Sequence, residues 1–420
     1  MRAGTLALKS GCFVVFTAGI IWNTGMSISD RLAARNQPQD IRKAIRLMPL
    51  HPDYRIQLAN ELFISDPDTA QRALESAIRL DPFKASAWIK LGLLYEEKAD
   101  LSGAEHALLN AAKVDKTYLP AWSLANFYFR HDRTHEFWQW ARTAAAIEPG
   151  DAQPLFRLAW YVEPDVDAIE SHLQLRRSYM RVQFLNFLMS QQETDAVGKA
   201  SLHLLASDAG KNDTLPTLIS ACEWLLQYRR PDLALPLWNS LAEQHLVPYP
   251  PISSGKENRI TNAAFSRQPS SNGFDWHIGN APGVSAFFNT SPNALGFEFS
   301  GDEKEPVLLM YQVVPVTPGK AYKLTVDYST SGISSGSGVA WVVSSFSSGA
   351  EIARTDSLSA EQGGEVSACF VAPEDVKFIN LLLEYQRQPG TVLVEGKITL
   401  YKTSLMATVN DACGTQKVAQ

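Results

Sequence analysis

His131 and His135, in the stretch HDRTHEFW, are spaced as a helical metal pair would be. No carboxylate or Cys stands where it would complete a site around them, so they read as surface or capping residues. Glu163, Asp165 and Asp167 alternate in VEPDVDAIE. That pattern suits a loop and a helix N-terminus, where carboxylates offset the helix dipole. Glu96-Glu97 reads as a solvated helix face, and Arg229-Arg230 as a solvated turn. The Ser-rich stretch STSGISSGSG lacks a G-x-S-x-G elbow, and no Gly-rich phosphate loop follows a strand. The residues therefore predict a non-enzyme, with no catalytic residue, no metal and no cofactor.

Other residues are better suited to holding a ligand. A sugar needs fixed donors and acceptors for its hydroxyls and an aromatic ring for its C–H face. In KFINLLLEYQRQPG, strand alternation sets Asn380, Leu382, Glu384 and Gln386 opposite Ile379, Leu381, Leu383 and Tyr385. The second set reads as core. Glu384, Gln386 and Arg387 are thus expected to hydrogen-bond a glycan, with Trp276 of GFDWHIG as the ring. Lys323, Thr325 and Asp327 should lie on an equally exposed face. The competing reading makes Trp276 a plug at one end of a sandwich. Phe287 and Phe288 are further ring candidates, whereas Trp341 shares parity with Val339 and Val343 and should be buried. Trp138 and Trp140, in FWQWAR, are candidates to line a partner groove.

These residues sit in two kinds of surroundings. From Asp30 to about Gln244 the chain reads as helix after helix. Trp88, Leu91, Gly92 and Tyr95 share one helical face, and Ala104, Leu108 and Ala111 share the face of the next helix. Pro residues at 49, 82 and 149 recur at a period of about 34 residues, or twice that. This resembles a tetratricopeptide repeat (TPR), with its W-x2-L-G-x2-Y helix, Ala-rich helix and closing Pro. Neither helix of such a pair buries its apolar stripe alone, so neighbouring pairs must stack. About six pairs would build a superhelical array with a groove, and the resemblance implies a protein partner.

After the Pro- and Ser-rich stretch HLVPYPPISSGKEN the chain speaks in strands. AYKLTVDYST, GVAWVVSSF, KFINLLLEY and TVLVEGKITLY alternate or run apolar between Gly, Ser and Pro turns, which predicts an antiparallel sandwich. NRITNAAFS before GFDWHIG, then YQVVPVTPGKAYKLTVDYS and ITLYKTSL, resembles the jelly-roll carbohydrate-binding modules associated with cellulases. That resemblance implies polysaccharide binding through residues 259–405. The closing strand lacks the usual Asp pair, which puts the modules' structural calcium in doubt.

The bulk properties agree with a folded two-domain chain of 420 residues, 45% hydrophobic and 20% charged. A net charge of -6 argues against a nucleic-acid partner, which would demand a basic footprint. Four cysteines stand far apart, and only a Cys369–Cys413 bridge suggests itself. Arg2 and Lys9 precede an apolar run from Gly11 to Trp22, with a buried soluble helix as the lesser alternative to an uncleaved signal anchor or a cleaved signal peptide. Either places the rest outside the cytoplasm, on the periplasmic side of a bacterial envelope, tethered to the membrane or secreted.

The expected fold is multidomain, α then β: a TPR-like superhelical array followed by an antiparallel β-sandwich of jelly-roll type. The expected boundaries are 1–28 for the signal segment, 29–245 for the repeats, 246–258 for a linker, 259–405 for the sandwich and 406–420 for a disordered tail. The expected function is a non-enzymatic scaffold in exopolysaccharide or cell-envelope assembly. Two alternatives stay open: an envelope enzyme acting on polysaccharide, and a purely structural sandwich capping the repeats.

Overall fold

The structure is a computed structural model that describes residues 22–147, 150–208, 214–252, 258–303, 305–334, 336–359 and 363–409. Most of the apolar run ahead of Trp22, the closing Pro149, and Cys12 and Cys413 lie outside the described residues. Among the described residues no helix is long and apolar enough to cross a membrane. The chain forms two compact units that divide between Arg176 and Arg177.

The first unit is a series of helical hairpins. Its helices are α1 (described residues 22–33), α2 (Pro38–Leu47), α3 (Pro52–Leu62), α4 (Pro67–Leu80), α5 (Ala85–Glu97) and α6 (Leu101–Val114). They continue as α7 (Tyr118–Arg130), α8 (Thr134–Ala146), α9 (Gln153–Val162) and α10 (Val166–Leu173). The repeat pattern acts as expected. Gly92 of α5 brings the helix so close to α6 that a Cβ there would sit 2.7 Å from Leu108 Cγ. Ala104, Leu108 and Ala111 are wholly buried, and the Trp88 indole N–H donates to the Pro82 carbonyl at 2.9 Å. Aspartates cap helix starts: Asp66, Asp100 and Asp165 accept from the backbone N–H groups of Thr69, Gly103 and Ala168.

Cross-repeat ion pairs join successive hairpins. Lys84 meets Asp53 at 2.8 Å, Lys98 meets Asp68 at 2.6 Å, Arg130 meets Glu96 at 2.7 Å, and Arg133 meets Glu105 at 2.7 Å. Glu96 is therefore not a freely solvated carboxylate; it is largely buried and also contacts His131 at 2.9 Å. His131 belongs to this ladder, while His135 is exposed.

The second unit joins two helical hairpins to the sandwich. The helices are α11 (Ser178–Ser190), α12 (Thr194–Asp208), α13 (Leu215–Gln227) and α14 (Pro231–Glu243). The strands are β1 (His277–Ile278), β2 (Val284–Thr290), β3 (Asn293–Ser300), β4 (Val307–Pro315), β5 (Ala321–Ser331), β6 (Val339–Ser345), β7 (Glu351–Arg354), β8 (Gly364–Val371), β9 (Phe378–Tyr385) and β10 (Glu395–Thr408). They form two antiparallel five-stranded sheets, ordered β1-β4-β9-β6-β7 and β2-β3-β10-β5-β8. β10 pairs with β5 as far as Thr408, so ordered chain continues past residue 405. Trp276, Trp341, Tyr322, Tyr385 and Phe265 fill the space between the sheets.

The Pro- and Ser-rich stretch differs from the open linker that its composition predicts. Val247 and Tyr249 are buried, Asn239 holds the Ile252 backbone N–H and C=O, and the Tyr249 hydroxyl donates to Asp275 at 2.8 Å. Residues 253–257 lie outside the described set. α13 and α14 press on the same neighbourhood. Gly273, at φ +55, lies so close to Trp238 that a Cβ would fall 2.5 Å from the indole, and its N–H donates to Glu223 at 3.0 Å. Nor are the two arginines of the α13–α14 turn simply solvated. Arg229 donates to the Ser347 carbonyl, and Arg230 pairs with Asp195 and Asp232. Cys369 is disulfide-bonded, whereas Cys222 is a free thiol whose burial raises its pKa.

Candidate functional site

The sandwich carries a polar cleft of about 350 Å³ on the outer side of the β1-β4-β9-β6-β7 sheet. Its walls are Gly338 and Ala340 at the start of β6, Arg354 to Ser357 at the end of β7, and Gln386 to Pro389 after β9. The geometry follows from the strand register. β6 pairs with β9 from Val339–Tyr385 onward, and Val342 pairs with Arg354, so the segments after β7 and β9 flank the start of β6 from either side. Gly338, at φ +88, makes the close approach possible, because any Cβ there would meet the Gln386 carbonyl at 2.0 Å. Thr355 fixes the other wall: its N–H donates to the Trp341 carbonyl, and its Oγ1 accepts from the Trp341 N–H.

The charged groups divide into held and open. Arg387 is positioned by Glu305, which accepts its backbone N–H at 2.7 Å and lies 3.1 Å from its Nε. Arg354 is held by Glu351 at 2.8 Å and stands 3.8 Å from Glu384. Burial raises the Glu384 pKa, and the nearby Arg354 only partly offsets it. The Asp356 carboxylate is exposed and makes no interaction with any described residue. An open carboxylate, two side-chain amides and two guanidiniums offer paired acceptors and donors, the complement of a vicinal diol.

Of the residues singled out in the sequence, Gln386 and Arg387 do meet in this cleft. Glu384 stands on the outer face of β9 beneath it, half-buried against Arg354. Trp276 is a correction. It is 0% exposed, packed edge-on against Trp341 at 5.6 Å and tilted against Phe265 at 6.0 Å, and it presents no face to a ligand. Trp341 is buried, as its parity predicts. Phe287 lies over Gly296 with the Lys397 ammonium 4.0 Å from its ring centroid, and Phe288 packs on the core. Arg354, Thr355, Asp356 and Ser357 escape a sequence reading because EIARTDSLSA lacks an apolar period. The alternation of Arg354 and Asp356 is the one local signal that could have found them.

In the helical unit the two tryptophans of FWQWAR separate. Trp138 is buried and stacks on His172 at 4.3 Å, so it is core and lines no groove. Trp140 is half-buried and borders a groove of about 590 Å³ whose lining is mostly apolar. The groove is also bordered by Ala112, Lys116, Ala121, Arg142 and Ala146.

Among the described residues no cluster of three or more His, Cys, Asp or Glu side chains could hold a metal ion. The fold is a TPR-like helical array followed by an antiparallel sandwich. No protein-family model matches the chain, and no curated protein matches it. Solved structures do resemble it. YrrB, a TPR protein with an unusual peptide-binding site, is 15% identical over 50% of this chain and 94% of its own, with a TM-score of 0.23. Yeast Tom70 is 16% identical over 51% of this chain and 50% of its own, with a TM-score of 0.31. A CBM4 structure is 10% identical over 36% of this chain and 99% of its own, with a TM-score of 0.28.

Proposed function

We propose that this chain is a non-enzymatic, extracytoplasmic scaffold whose helical repeats hold a protein partner while its sandwich contacts a glycan. The observation that carries the glycan half is the cleft beside Gln386 and Arg387, where an unpaired Asp356 carboxylate shares the lining with held guanidiniums and side-chain amides. No ring lines that cleft among the described residues, so recognition there runs through hydrogen bonds to hydroxyls. Placement outside the cytoplasm draws on Arg2 and Lys9 ahead of the apolar run. The disulfide at Cys369 supports it, since disulfides persist in oxidising compartments. A role in exopolysaccharide or cell-envelope assembly combines the two halves.

A glycan array probed with the full chain and with Asp356→Ala tests the glycan half. The expected result is a set of bound glycans that the variant loses while its melting temperature stays unchanged. Identical array profiles for both proteins would remove the cleft from the function. A reporter active only in the periplasm, fused after Gln420, should be active. Activity of a cytoplasm-only reporter instead would overturn the placement.

The second reading, a sandwich that serves only to cap the helices, is favoured by one observation. Trp238 of α14 lies on Gly273, and Glu223 of α13 accepts the Gly273 N–H, so the last hairpin and the sandwich share packing. A chain that binds no glycan on the array but unfolds α11–α14 and the sandwich in one transition would favour this reading.

A further inference from the structure

The Trp140 groove has a chemical bias of its own. Small side chains make the space: Ala112 of α6, Ala121 of α7 and Ala146 of α8 border it, and Trp140 and Ile147 form its large apolar walls. Beside the Thr117 and Thr143 hydroxyls and the Gln174 amide, its open charged groups are cationic. The Trp140 indole N–H forms no hydrogen bond with any described residue. Arg142 uses its Nε to donate to the His172 carbonyl at 2.7 Å, which leaves both terminal guanidinium nitrogens open. Lys116 is exposed, and among the described residues its ammonium meets only the Ala112 carbonyl, at 2.7 Å. The single carboxylate of the lining is already committed. Asp115 accepts the Thr117 N–H at 2.8 Å and meets the Thr117 hydroxyl at 3.0 Å. Apolar walls with open cationic donors and a committed carboxylate fit an occupant that is apolar in body and anionic at one side.

Resting on the reading of the repeats as a partner-holding array, we propose that this groove seats an extended acidic peptide segment of the partner protein. A Leu- or Phe-sized side chain enters beside Trp140, and a neighbouring carboxylate meets Arg142 and Lys116. A guanidinium binds a carboxylate in two parallel hydrogen bonds, and a lysine binds it as a point charge. The groove's volume falls within the range of roughly 300–1,000 Å³ usual for ligand pockets.

The test uses the full chain and two fluorescein-labelled, end-capped octapeptides. One has a central Leu-Leu pair flanked by Asp residues, and the other has Lys in place of every Asp. Fluorescence polarisation should show saturable, salt-sensitive binding of the acidic peptide alone. Trp140→Ala, and separately Lys116→Glu with Arg142→Glu, should each weaken it at least tenfold. The two charge reversals are at exposed residues, so the assay stands even if Trp140→Ala folds poorly. Equal binding of both peptides, no binding of the acidic one at millimolar concentration, or binding indifferent to the charge reversals would overturn the proposal. A photocrosslinker at Thr143 on the groove rim, compared with one at Lys90 of α5, separates this failure from that of the scaffold reading. A partner trapped only from Lys90 sinks the groove and leaves the array as a partner-holder. No partner trapped from either position sinks the array reading as well.

Discussion

The helical unit and the sandwich differ in how much of their cores is made of small side chains. Between the helices, the wholly buried positions include Ala44, Ala70, Ala77, Ala104, Ala111, Ala141 and Ala144. Between the sheets they include Trp276, Trp341, Tyr322 and Tyr385. Alanine seams let the helices approach closely at those positions, Phe127, Phe137, Phe156 and Trp138 fill the wider gaps between them, and Trp140 is left half-buried at a groove. A sandwich has about 10 Å to fill between its sheets, so it consumes its rings in the core. Its open surface is then polar. The groove walled by an aromatic ring lies in the helices, while the sandwich cleft relies on Asp356, Gln386 and Arg387.

The comparison breaks most visibly if the two kinds of tryptophan are equally costly to remove. Trp276→Ala empties a fully buried site between Trp341 and Phe265 and should cost about 3–5 kcal/mol. Trp140→Ala removes a half-buried groove wall and should cost well under that, about 1 kcal/mol. Denaturant unfolding of both variants measures the two. Near-equal losses would mean that Trp140 is core and its groove a packing defect.

Next in size are the close approaches, which should respond to added rather than removed volume. Gly92→Ala in α5 drives a methyl into Leu108, at 2.7 Å, and meets the Ala104 carbonyl at 3.2 Å. Overpacking of this kind should cost about 1–3 kcal/mol. Gly273→Ala in the second unit adds backbone strain at φ +55 to a clash with Trp238, so it should cost more than Gly92→Ala. Reversal of that order, read by thermal unfolding, would mean that Trp238 yields easily.

Much of the architecture was legible because both elements announce themselves by period. The face shared by Trp88, Leu91 and Gly92 and the alternation of Ile379 with Asn380 each fix which side is buried. The site was legible only where it sits on such a period: Gln386 and Arg387 follow directly from β9. Arg354 and Asp356 lie at and just beyond the end of the four-residue β7, too short to show a pattern. Trp276 misled because its neighbours Gly273 and His277 suggest a loop, while the ring itself folds inward. The α13–α14 contacts with residues 245–277 had no local signature either, since they join Glu223 and Trp238 to Gly273 across a long stretch of sequence.

Two carboxylates sharpen the comparison through pH, with opposite signs. In the helices the Arg133 hydrogen bond holds the Glu105 carboxyl below its usual range, against some opposing burial. A depressed acid contributes stability above its unfolded pKa of about 4.3, and that stability is lost as pH falls through its lower folded value. In the sandwich, burial raises the Glu384 pKa. The folded state then binds more protons than the unfolded one, so stability falls as pH rises from about 4.3 towards the raised value. Glu105→Gln should therefore destabilise at pH 7 but not below the folded pKa. Glu384→Gln should stabilise at pH 7, with the gain fading at pH 4. Denaturant midpoints across pH 3 to 8 would show both slopes, and a shared sign would contradict the assigned environments.

The smallest effect concerns the turns of the helical unit. Ala99, between α5 and α6, adopts φ +60, a left-handed conformation that glycine reaches without penalty. Its N–H donates to the Glu96 carbonyl, and the next N–H, of Asp100, donates to the Tyr95 carbonyl. The turn thus closes the helix while its Cβ remains strained. Ala99→Gly relieves that strain at the expense of extra freedom in the unfolded chain, and the balance should be a gain of at most about 1 kcal/mol. The gain should appear as slower unfolding or a higher midpoint with no change in m-value. A loss instead would mean that the Ala99 methyl makes apolar contacts in the α5–α6 hairpin worth more than the backbone strain.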